Sequence, residues 1–189
     1  MEDAAPATIS AGRGWLALVE TNAALAKEDL AAAERYLAIA QSVKASAWDH
    51  PLGHPLVGLH EAALRRAAGE YAACVAQSER LVAHVRQAKL TMPHVVAAAE
   101  LLAEEVRQFA DFDGRTPAGA GRFEDLAQRF SLLGYRTSAA RALGSAYRAG
   151  GRQPTPAQIE DWHTWKWANE LAWLGRGRGA PLTHWVLPI

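Results

Sequence analysis

The sequence predicts an all-α fold: about eight helices in antiparallel pairs, stacked as an irregular helical repeat and closed by a tryptophan-rich C-terminal helix. Three observations carry this. Apolar residues recur at three- and four-residue spacing almost throughout, and no stretch shows the strict alternation of a half-buried strand. Alanine dominates the hydrophobic half of the 189 residues, which favours helices and close helix–helix contact. Gly and Pro cut the pattern into segments of helical length.

In chain order the helices are expected at 12–26, 29–45, 55–68, 70–88, 93–112, 122–133, 136–149 and 156–174. The last start is the best marked. In "TPAQ", Thr155 can cap the helix, Pro156 suits its first turn and Gln158 can reach back as a capping-box partner, while Gly175 supplies the stop. Short turns join helices 1–2, 3–4 and 6–7. The looser stretches "SAWDHPLGHP" (46–55) and "GRTPAGAG" (114–121) separate the pairs. The whole of 1–189 reads as one helical domain, with five helices over 12–112, three over 122–174, and a Gly/Arg linker with an apolar tail over 175–189.

Composition excludes several classes. Twenty basic and twenty acidic residues cancel, so there is no overall electrostatic footprint for nucleic acid or an anionic membrane. No apolar run approaches the roughly 20 residues that span a bilayer, and "MEDAAPATIS" lacks the basic and apolar regions of a signal peptide. A cytoplasmic location is expected. Cys74 is the single cysteine, so no internal disulfide can form, and its apolar helical setting suits a buried inert thiol.

Charge is unevenly spread. Residues 100–113 hold five acids and one arginine, whereas 122–152 hold six arginines and two acids. Neighbouring helices with complementary faces explain this, and a docking patch for an acidic partner is the alternative. Glu100, Glu104 and Glu105 read as a solvated helix face.

The paired helices share a register. Gly69, Tyr71, Cys74 and Leu81 place a turn glycine, an aromatic and then smaller apolar residues on the second helix of one pair; Gly134, Ala139, Leu143 and Ala146 do so in another. In the first pair Glu28 stands where the glycine would be, and Ala33, Leu37 and Ala40 keep the spacing. This resembles degenerate tetratricopeptide repeats, in the alanine- and arginine-rich style of helical-repeat regions in bacterial transcription regulators and signalling ATPases. The turns at 28 and 69 lie 41 residues apart, so the repeat is irregular and the fifth helix is left unpaired. The resemblance implies a protein–protein interaction module or adaptor in regulation, binding another protein or peptide. It further implies a concave groove faced by Trp15 and Asn22, by Arg66, and by Gln128.

Chemistry is less legible. No nucleophile elbow, phosphate-binding loop, dinucleotide turn or HExxH metal pair occurs, and no cofactor is expected. The rival reading is an all-helical enzyme or small-ligand protein with a His/Trp-lined pocket. In a metal-dependent version His50, His54, His60 and His163 would converge, against a bland role in caps and turns. A weaker reading puts phosphate-facing arginines at Arg141 and Arg148, seven residues apart on one face; nucleic acid is not the expected partner.

Four of the seven tryptophans lie within 162–173. Trp162, Trp165 and Trp173 share one face of the eighth helix, and Trp167 points the other way. Either the tail, with Trp185, folds back over Trp167, or Trp167 and residues 180–189 form a partner or self-association surface.

Overall fold

The computed structural model describes residues 4–43, 48, 53–110, 119–150, 155–157, 159–160 and 187–188. Among them are seven α-helices and no strand: α1 (Ala4–Ala26), α2 (Leu30–Ser42), α3 (Gly53–Ala67), α4 (Tyr71–Gln87), α5 (Pro93–Phe109), α6 (Ala120–Leu132) and α7 (Arg136–Gly150). An eighth begins as read. Thr155 is outside the helix, Pro156 is its first helical residue, and the Ile159 amide donates to the Thr155 carbonyl at 3.1 Å. The expected course of that helix beyond Glu160, with Trp162, Trp165, Trp167 and Trp173, lies outside the described residues, as do Trp185, His50 and His163.

The helices form two layers. α1, α3, α5 and α7 touch in succession, while α2 lies against α1 and α3, α4 against α3 and α5, and α6 against α5 and α7. α5 is not left over between pairs. It packs on α3, α4, α6 and α7, and its buried run from Val95 to Ala99 with Leu101, Leu102 and Val106 surrounds it with apolar contact. A helix apolar on nearly every side belongs in the interior.

One turn geometry recurs. Glu28, Gly69, Lys89 and Gly134 all have left-handed φ values of 60°, 76°, 53° and 82°. Each is followed by an amide that donates back to the carbonyl five residues earlier: Asp29 to Ala24, Glu70 to Arg65, Leu90 to Val85 and Tyr135 to Phe130, at 2.9–3.0 Å. The reversed chain thereby satisfies carbonyls that the helix end would leave unpaired. Glu28 thus occupies the glycine's conformation, as its place in the register implied.

α1 begins at Ala4, eight residues before the expected start. Pro6 sits in its first turn, where a missing N–H costs nothing, and Gly12 and Gly14 continue the helix rather than break it. Gly14 has a packing reason. A Cβ there would lie 2.6 Å from the Trp48 ring, which is buried and meets Trp15 edge-on at a centroid distance of 5.3 Å. Gly14→Ala is expected to push that rigid ring aside and to lower stability by about 1–3 kcal/mol despite alanine's better helix propensity. Equal or higher stability in urea unfolding would refute this account of the glycine.

Candidate functional site

The charged helices meet as the composition implied, and one meeting is fully buried. Glu105 of α5 accepts from the Arg141 guanidinium at 2.6 and 3.1 Å and from the Ser145 hydroxyl at 2.7 Å, both on α7. Arg66 of α3 reaches the same carboxylate at 2.8 Å. All four side chains are interior. Burial alone would raise the Glu105 pKa and is the largest single influence. The fields of Arg141 and Arg66, with the hydrogen bonds from Arg141 and Ser145, together outweigh it and hold the carboxyl below its ordinary value.

Two expectations are corrected here. The expected solvated face is absent, since Glu105 is interior and the Glu100 and Glu104 side chains are only 11% and 15% exposed, and Arg66 does not face a groove. A signal for the first was present. Glu105 is four residues after Leu101 and so falls on α5's apolar line, whereas Glu100 and Glu104 fall on another. Arg141 is likewise unavailable to phosphate, and the Arg148 guanidinium lies over the Phe109 ring at 4.5 Å.

Glu100 and Glu104 mark a second, outer network. Glu100 accepts from Arg86 of α4 at 3.0 Å and from Arg129 of α6 at 2.5 Å; Arg107 pairs with Glu104 at 3.0 Å and also with Glu79. These pairs tie α4, α5 and α6 together at the surface.

Asn22, near the end of α1, is buried and holds a segment from the far end of the chain. Its side-chain amide donates to the Leu187 carbonyl and its carbonyl accepts from the Leu187 amide, both at 3.3 Å. A residue presents its own N–H and C=O to one side only when extended, and a following proline biases it to that conformation. Pro188 supplies the bias. The Leu187 side chain is 2% exposed within the core cluster. Leu187 therefore lies against α1; how residues 180–189 relate to Trp167 lies outside the described residues. Alongside, Leu16 and Val19 stand exposed on α1, on a face adjoining that of Asn22. Trp15, one of the other groove expectations, is half-buried against Trp48, and Gln128 is exposed on α6.

The histidines part company. His54 is exposed at the start of α3, and His60, on the same helix, is fully buried. The His60 Nδ1 donates to the Leu56 carbonyl at 2.8 Å, and its Nε2 has no hydrogen-bond partner among the described residues. Burial drives its pKa down to about 4, against a smaller opposing effect of that hydrogen bond. Cys74 is buried too, and burial pushes its thiol up to about 11, so it is inert as expected. Among the described residues no group of three or more His, Cys, Asp or Glu could hold a metal ion.

A cavity of about 340 Å³ opens between α2, α3 and α4. Trp48, His54 and His84 line it, with Glu61, Gln77 and Arg80. The Gln77 amide donates to Glu61 at 3.0 Å, and Arg80 donates to the Gln77 carbonyl at 2.7 Å. Nothing in the sequence marks His84 as a partner for His54. It is 30 residues from His54, and only the α3–α4 hairpin brings the two together.

No family model, curated protein or solved structure matches the chain. No helix among the described residues is long and apolar enough to cross a membrane.

Proposed function

We propose that the protein is a protein–protein interaction module that takes an extended peptide across α1. The observation that carries this reading is the paired hydrogen bonding of Asn22 to both backbone groups of Leu187. Such a contact reads extended backbone and leaves side-chain selection to the surface around it. An apolar residue followed by proline fits, as Leu187–Pro188 does. Exposed Leu16 and Val19 would extend the apolar contact beyond the segment now held. In this reading the chain's own tail occupies the site until a partner of like chemistry displaces it.

The two-layer stacking and the recurrent left-handed turns support the tetratricopeptide-like reading, and with it a role as an adaptor in bacterial regulation. The resemblance placed Asn22 on the binding side.

The test uses a labelled peptide of residues 181–189 and a chain ending at residue 180. Saturable binding to the shortened chain, weaker binding to the full chain, and a loss of about tenfold or more with Asn22→Ala are expected, the last from two lost hydrogen bonds. A shortened chain that keeps its helical circular dichroism yet ignores the peptide would sink the proposal.

The cavity between α2, α3 and α4 favours a second reading, a small-ligand site lined by tryptophan and histidine. Its lining includes none of Asn22, Leu16 or Val19, so the two readings are tested by different substitutions.

A further inference from the structure

The geometry points to a divalent transition-metal site built from His54 and His84. The imidazole rings have centroids 6.2 Å apart, tilted by 54°, and both are exposed at the cavity between α2, α3 and α4. A metal-bound histidine nitrogen lies about 2.1 Å from the ion and roughly 1 Å from its ring centre, so two rings sharing one ion have centres at most about 6.5 Å apart. The observed spacing falls inside that limit. A tetrahedral angle at the ion brings the centres to about 5.3 Å, a distance two exposed rings reach by small turns about their side-chain torsions.

The two ligands come from adjacent antiparallel helices, so the α3–α4 packing sets their separation in advance. No order need be imposed on a loop. Glu61 lines the same cavity but is seven residues, two helical turns, beyond His54, and it already accepts from Gln77. Its charge is countered in the lining by Arg80, one helical turn before His84, so the site rests on the two imidazoles alone. The ion would therefore have two protein nitrogens and keep its remaining positions open toward the cavity. Imidazole ligation selects copper, nickel or zinc over magnesium and calcium, which prefer oxygen. Of the sequence-level histidine set, His54 keeps a metal role in this site; His84 becomes its partner, and buried His60 takes no part.

Zinc titrated into the full chain by calorimetry is expected to bind, with His54→Ala and His84→Ala each weakening the affinity by roughly tenfold or more. Because both positions are exposed, neither change should alter helicity. His94→Ala, at a ring stacked on Tyr135, serves as the control and should leave the titration unchanged. With copper, electron paramagnetic resonance should show two equivalent imidazole nitrogens that fall to one in either variant. Zinc binding that survives both substitutions would assign it to other histidines and overturn the site. Absence of binding at millimolar zinc would overturn it as well.

Discussion

Glu105→Ala is expected to destabilise the fold by about 3–5 kcal/mol, the usual cost of removing one partner from a buried ion cluster. The carboxylate is the shared acceptor for Arg66 of α3 and for Arg141 and Ser145 of α7. Its removal takes from two interior guanidiniums a buried charge that helps offset their desolvation. Against a total stability of about 5–15 kcal/mol for an ordinary domain, such a loss is a large fraction. Urea unfolding followed by circular dichroism checks it, and a change below about 1 kcal/mol would refute the role given to the cluster. Salt separates this cluster from the outer one. The cost of Glu105→Ala should persist in 1 M sodium chloride, because the pair is shielded from solvent, whereas any effect of removing half-exposed partners of Glu100, such as Arg122, should fade.

The cluster also bears on how α5 finds its place. The buried sides of α5 are aliphatic and by themselves define its axial position loosely, while its outer side is held by the Glu100 and Glu104 pairs. A carboxylate that must meet arginines from both α3 and α7 narrows that position from the inside, as the outer pairs do from α4 and α6. A half-turn slip would bury Glu105 against aliphatic side chains, which is far more costly than any apolar mismatch.

Much of the fold could be read from local chemistry. Pro93 and Pro156 open helices, and Gly69 and Gly134 close turns, because φ constraints act on the residue that carries them. The Lys89 turn was not legible, since lysine gives no hint of a left-handed φ; the neighbouring Pro93 alone located that junction. The start of α1 was misplaced for a related reason. Residues 4–11 hold Pro6 and no large apolar residue but Ile9, so the 12–26 range stops short of them; Gly14 falls inside that range, and only the position of Trp48 shows why a glycine suits the helix there. The candidate sites were less legible because they are built from residues far apart in the chain. Asn22 was singled out, but its present occupant is 165 residues away. The groove position of Arg66 comes only from the tetratricopeptide resemblance, and its partner Glu105 cannot be identified without knowing that α3 and α5 touch. Charge balance between 100–113 and 122–152 did foreshadow the pairing of α5 with α6 and α7, because complementary composition survives without knowledge of register.

Acidification should weaken the fold well before its carboxylates titrate, through His60. The folded chain holds this histidine neutral, with a pKa of about 4, because protonating Nε2 would place a charge and an unpartnered donor in the interior. In the unfolded chain the pKa returns to the ordinary 6.5. The unfolded state therefore binds the extra proton first as pH falls. Stability is fully present above pH 6.5 and declines down to about 4, by about 3 kcal/mol in all. Half-buried His94 is shifted in the same direction by burial and adds a smaller slope in the same range. The loss through Glu105 starts lower, below the ordinary carboxyl value, because its folded pKa is depressed. His60→Leu should flatten the decline between pH 6.5 and 4 while leaving the fall at lower pH intact. Leucine fills the apolar site, and the Leu56 carbonyl remains an acceptor for the helix backbone. Urea midpoints measured at half-unit pH steps distinguish the two windows. If wild type and His60→Leu fall in parallel from pH 6.5 downward, burial of a neutral His60 is not what makes this fold acid-sensitive.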